Sequence, residues 1–111
     1  LPPELLHMVY RLKGPDKICL VCDSMRCAGT DVKESELGSR NSGRKEIVED
    51  GVAKLPDRSA FAGSIATDDR LVRVMYDKAG VPLGDCIKMM CLTPARIMHM
   101  ADRKGSCRQL A

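Results

Sequence analysis

A helical segment running straight into a short apolar stretch is the feature that most constrains this chain. Leu5, Met8, Val9 and Leu12 recur at helical spacing after Pro2-Pro3, and Gly14-Pro15 ends the pattern. Lys17 to Cys22 is then short, apolar and bounded by Asp16 and Asp23, as expected of a strand buried on both faces. A helix followed at once by such a strand is the αβ half of a parallel repeat. The spacing predicts an α/β fold, with a helix over 2–13 and a strand over 17–22.

From Ser24 to Ala66 the texture changes. Gly29, Gly38, Gly43, Gly51 and Gly63 punctuate it, and the stretch GSRNSGR at 38–44 is polar and flexible in composition. Within it, KEIVEDGVAKL places two short segments around Asp50-Gly51, a strong two-residue hairpin signal. Connections of this length are rare in compact domains unless they build a lid or a binding surface, and the 24–66 loop is expected to build one. Thr67 then stands as an N-cap before two acids, with apolar Leu71, Val72 and Met75 following and Gly80 as a stop. Pro82 and the pair Thr93-Pro94, read as cap plus first helical residue, announce two shorter helices.

The 111 residues suffice for one modest domain. A net charge of +3 from scattered basic residues, with one Phe, two Tyr and no Trp, offers no stacking platform and argues against nucleic-acid binding. No apolar run approaches the ~20 residues of a membrane span, and no charged-then-apolar leader is seen. A soluble, cytoplasmic setting is expected, with no membrane partner. Leu1 rather than Met, followed by Pro2-Pro3-Glu4 in the style of a helix start, reads as a piece of a longer protein.

Several residues are candidates for chemistry. Cys19-x-x-Cys22 with Cys27 behind it resembles half a zinc site or a redox dithiol. Residues three apart in a strand point to opposite faces, so the two thiols do not converge. Buried, reduced cysteines are the better reading, for these and for the six as a set. The same parity puts Cys19, Val21 and Asp23 on one face and Ile18, Leu20 and Cys22 on the other. In a β/α barrel a polar residue at a strand's C-terminal end points into the mouth where catalytic groups collect. Local sequence equally allows Asp23 to cap the following turn. His7 and His99, each in a predicted helix, are packing or surface residues, and the seven methionines mostly fill core. Gly63 and Ser64 precede a helix start, where backbone N–H groups and a hydroxyl could face an anionic or hydroxyl-rich ligand.

KGPDKICLVCDSMRCAG, VEDGVAKLPDRSAFAGS, DRLVRVM, AGVPLGDCIKMMCLTPAR and DRKGS follow one another in the order and at about the spacing seen near the C-terminal end of N-acetylglucosamine-6-phosphate deacetylases. The chain resembles that family, of the amidohydrolase superfamily, over nearly its whole length. The resemblance implies the C-terminal portion of a metal-dependent (β/α)8 TIM-like barrel with a β-hairpin inserted after the last strand. Residues 1–111 would be a partial barrel: a last helix-strand unit, a hairpin-containing loop over 24–66 and closing helices over 67–100, without a second complete domain. It further implies Asp23 as the catalytic proton carrier and Ala62, Gly63 and Ser64 as the segment touching an amino-sugar phosphate substrate. The divalent metal, of the zinc or iron class, would be held by a glutamate and two histidines outside this chain. The complete enzyme would be a homo-oligomer. Cys22 stands where family members usually carry Thr, GSRNSGR replaces a shorter glycine turn, and CRQLA stands where the family continues through Gly-Lys-Asp-Ala-Asp. Lacking every metal ligand, the chain also reads as a non-catalytic α/β module that binds a sugar phosphate or a partner chain.

Overall fold

The computed structural model describes residues 1–31, 34–37 and 44–107, with the main chain alone at 34–37 and 44. The polar stretch 38–43 and the residues 108–111 lie outside the described residues. The chain forms two compact units, Leu1–Val21 with Asp68–Ala111, and Cys22–Thr67.

The first unit is helical. Helix α1 spans Pro3–Lys13 with proline in its first turn, Glu4 near the N-terminus and Arg11 and Lys13 in the last turn, each on the side that the helix dipole favours. Gly14 closes it at φ 72 with its amide on the Tyr10 carbonyl, and a 3-10 turn follows over Pro15–Lys17. Leu6 and Tyr10, one turn apart, pack on a core of Met75, Ala79, Val81, Cys86 and Met89, joined by Ile18, Leu20 and Val72. The expected stripe of Leu5, Met8, Val9 and Leu12 is the exposed side of this helix, with Leu12 75% accessible. Apolar residues ring much of α1, and the packing neighbours present select the Leu6/Tyr10 face.

Of the strand predicted over 17–22, Lys17 belongs to the 3-10 turn, and residues 18–22 join no ladder among the described residues. Ile18 has strand dihedrals (φ −125, ψ 132), and the Leu20 amide bonds the Met89 carbonyl at 3.1 Å. Burial on both faces is not observed: Ile18 and Leu20 pack inward, whereas Val21 is 75% exposed. The Ile18/Leu20 side is packed, whereas at Val21 no packed element among the described residues covers the other side.

Helix α2, Asp68–Arg73, starts directly after Thr67 and continues as a π-helical turn over Val74–Lys78, ending before Gly80 at φ 66. Helix α3, Leu83–Ile87, runs through a second π turn, Lys88–Leu92, into α4, Thr93–Ile97. The two expected short helices are thus one helical run. Leu92, before Thr93, already has helical dihedrals (φ −73, ψ −44), and no side chain caps α4. The wide turn ahead of Pro94 absorbs the missing proline N–H without breaking the helix. Thr93, 2% exposed, instead donates its hydroxyl to the Pro15 carbonyl at 2.7 Å. His99 lies beyond the helix rather than in it. At φ 54 it takes the left-handed closing position, its amide on the Arg96 carbonyl and that of Met100 on the Ala95 carbonyl. His7, in α1, places Nδ1 2.8 Å from the Ala79 carbonyl, a helix-packing contact as expected.

The second unit holds a three-stranded antiparallel sheet in the order β1-β2-β3, with β1 Glu34–Leu37, β2 Arg44–Glu49 and β3 Val52–Lys54. The predicted hairpin is its β2–β3 half, in register Ile47 with Lys54, Val48 with Ala53 and Glu49 with Val52. Asp50 and Gly51 both have positive φ, 54 and 74, as a type I′ turn requires. A core of Met25, Cys27 and Ala53, with Val48, Ala62 and Ile65, lies against this sheet. No helix among the described residues is long and apolar enough to cross a membrane.

Candidate functional site

The second unit is arranged around a return of the chain. After β3 a tight turn brings the Arg58 amide to the Leu55 carbonyl (2.8 Å) and the Leu55 amide to the Ala60 carbonyl (3.0 Å). Arg58 sits at φ 59 and grips Glu49 with two bonds, Nε to Oε2 at 3.0 Å and Nη2 to Oε1 at 2.6 Å. That contact holds the Glu49 carboxyl below the usual carboxylate range. Asp57 accepts the Ser59 amide at 3.0 Å and is lowered likewise. Lys54 bridges to Phe61 across the return, and the Ala62 amide donates to the Ala53 carbonyl at 2.9 Å.

The next residues meet the segment that carries Asp23. Ser24 and Ser64 form a parallel bridge: the Ser64 amide donates to the Asp23 carbonyl at 3.1 Å, and the Met25 amide donates to the Ser64 carbonyl at 2.8 Å. The Ser24 hydroxyl donates to the Ala66 carbonyl, and the Ala66 amide donates to Ser64 Oγ at 2.9 Å. Asp23, Ala62, Gly63 and Ser64 are thereby brought together, tied through Ala53 to the hairpin. Asp23 itself is exposed and sits at φ 48, a conformation that Asp tolerates better than most residues.

This arrangement corrects one expectation. Of the Gly63 and Ser64 amides expected to be able to face a ligand, that of Ser64 is committed to the Asp23 main-chain carbonyl. The Ser64 hydroxyl accepts from Ala66 and retains its own proton for donation. Asp23, which meets Ser64 through its main-chain carbonyl, carries a side chain that as a carboxylate can only accept hydrogen bonds or a proton.

Cys19 and Cys22 are free thiols and only half-buried, so the buried reading fits Cys27 and Cys86 but not this pair, nor the exposed Cys91 and Cys107. Among the described residues no three His, Cys, Asp or Glu side chains are grouped to hold a metal ion. Sequence reasoning passed over Met25, which the structure places directly over Gly63; a lone methionine after Asp-Ser carries no local signal of that contact. It also passed over Glu46, on β2, which is 2% exposed and engaged in the fold.

No family model matches the chain. A curated relative, N-acetylglucosamine-6-phosphate deacetylase of Lysinibacillus sphaericus, is 35% identical over 98 residues, covering 88% of this chain and 24% of the relative. Among solved structures, the deacetylase of the same name from Pasteurella multocida superposes with a TM-score of 0.79 at 22% identity, over 97% of this chain and 27% of its own. That of Mycobacterium smegmatis gives 0.75 at 26% identity, over 90% and 26%. The chain thus spans about a quarter of the length of the relatives it matches. The resemblance read from the sequence is borne out: over that quarter the chain is related to N-acetylglucosamine-6-phosphate deacetylases.

Proposed function

We propose that this chain, as a relative of one part of the N-acetylglucosamine-6-phosphate deacetylases, supplies such a hydrolase with its proton-transferring carboxylate and part of its sugar contact. The observation that carries the proposal is the Ser24–Ser64 bridge, in which the Ser64 amide donates to the Asp23 main-chain carbonyl and which joins two separated motifs of the resemblance into one place. In this reading the extended segment 18–22 is the last strand of a (β/α)8 barrel, and Asp23 leaves its C-terminal end towards the mouth.

Asp23 begins as a carboxylate and accepts a proton from the water that attacks the acetamide carbonyl of N-acetylglucosamine 6-phosphate. It then delivers that proton to the departing nitrogen as the C–N bond breaks, giving glucosamine 6-phosphate and acetate. Ala62, Gly63 and Ser64 lie along the amino sugar, with the Ser64 hydroxyl free to donate to it. The superfamily reaction uses a divalent metal, of the zinc or iron class. The described residues do not fit one, and its ligands would lie outside them. The setting is cytoplasmic amino-sugar metabolism.

The test is acetate release by a polypeptide uniting this segment with the metal-binding part of a deacetylase. Asp23→Asn removes most turnover and leaves the bound metal unchanged; persisting turnover contradicts the proton-carrier role. A second reading, a non-catalytic module, draws on the same lack of a metal-holding group among the described residues. Both readings expect no hydrolysis by the chain alone, and the Asp23→Asn comparison separates them.

A further inference from the structure

Gly63 faces the Asp23 segment at a separation that leaves no room for a side chain. A methyl group there would stand 2.6 Å from Met25 Cγ, 2.9 Å from Met25 Sδ and 3.3 Å from the Asp23 carbonyl oxygen. Space, not backbone conformation, demands glycine, since Gly63 is not among the residues with positive φ. Nor is the methionine free to swing aside. Met25 is 8% exposed and packs with Cys27, Ala53, Val48, Ala62 and Ile65, and its Cγ lies near the root of the side chain. The contact sits between the two hydrogen bonds that fix this crossing, Ser64 to Asp23 and Met25 to Ser64.

We propose that Met25 and Gly63 act as a positioning pair: the methionine laid over the glycine sets the approach of the two segments, and with it the backbone from which the Asp23 carboxylate projects. This rests on the reading of Asp23 as proton carrier, while the pair itself can be tested without turnover. Adding a methyl at position 63 pushes on an immobile neighbour and parts the two bonds. Removing the methionine beyond Cβ relieves the two shortest of these contacts and leaves only the 3.3 Å approach to the Asp23 carbonyl oxygen, so the same methyl disturbs the crossing far less.

The experiment is a double-mutant cycle on the whole chain, read by amide hydrogen exchange at Met25 and Ser64. Gly63→Ala speeds exchange at both amides by about tenfold or more, the size expected of residues in direct contact. In the Met25→Ala background, where only the 3.3 Å contact with the Asp23 carbonyl remains, the same substitution speeds them at least about threefold less. The Leu20 amide, in the other unit, serves as the control and keeps its wild-type rate. Equal acceleration in both backgrounds, or none in either, overturns the pair. In a polypeptide with deacetylase activity, kcat falls with Gly63→Ala and recovers relative to Met25→Ala in the double variant. If the exchange cycle shows coupling while kcat ignores it, the catalytic reading of Asp23 falls and the pair stands.

Discussion

The main-chain carbonyl of Asp23 accepts the amide of Ser64 at 3.1 Å, and the Asp23 backbone is left-handed at φ 48. These two facts separate the shape of the site from its chemistry. Asn shares with Asp the ability to take this conformation, whereas for Ala it costs about 1 kcal/mol or more. Asp23→Asn therefore leaves the melting temperature near that of the parent, and Asp23→Ala lowers stability by about 1 kcal/mol in denaturant titration. Equal losses from both would show that the carboxylate charge, not the backbone, matters to the fold.

In the helical unit, Asp16 is held by Lys88 Nζ at 2.8 Å and Arg96 Nη1 at 2.6 Å. The Lys88 hydrogen bond, then that of Arg96, keeps its carboxyl below the ordinary aspartate value. A lowered folded-state pKa means that the contribution is complete above the unfolded value, near 3.9, and is lost as pH falls through the folded one. Asp16→Asn should leave a shallower loss of stability below about pH 4, measured by thermal melts at a series of pH values. An unchanged acid limb would mean that the two cations do not bear on stability.

Thiol accessibility supplies an independent check on the cores. Burial pushes the Cys86 thiol up, and Cys86 and Cys27 are enclosed while Cys91 and Cys107 are exposed. Brief alkylation of the native chain followed by peptide mass mapping should mark Cys91 and Cys107 and spare Cys27 and Cys86. Prompt labelling of Cys86 would contradict the packing of Met75, Val81 and Met89 around it.

What the sequence made legible follows from how local each determinant is. Asp50-Gly51 announced its hairpin because two adjacent left-handed residues are the turn's own requirement. Gly14 and Gly80 marked helix ends for a similar reason. Strand β1 was missed because Glu34-Ser-Glu-Leu37 carries no alternating apolar pattern, and its pairing to β2 is the reason it is a strand. Thr93 looked like a cap because the partner that decides its role, the Pro15 carbonyl, is remote in sequence. The composition of 17–22 suggests burial on both faces, but which face is covered depends on neighbours: Ile18 and Leu20 pack on the helical core and Val21 stays exposed. Strand parity singled out Asp23, yet nothing local tied it to Ala62, Gly63 and Ser64. That link comes from the family resemblance; the structure pairs Ser24, the residue after Asp23, with Ser64.

The most direct test of the account is a crystal structure of the Asp23→Asn variant, within a polypeptide that also carries the metal-binding part, in complex with N-acetylglucosamine 6-phosphate. The account predicts the acetamide carbonyl carbon within roughly 3–5 Å of the residue 23 side chain, directly or across one water, and the sugar ring against Gly63 and Ser64. A sugar bound with its acetamide away from residue 23, or with no contact to Gly63 and Ser64, would contradict it.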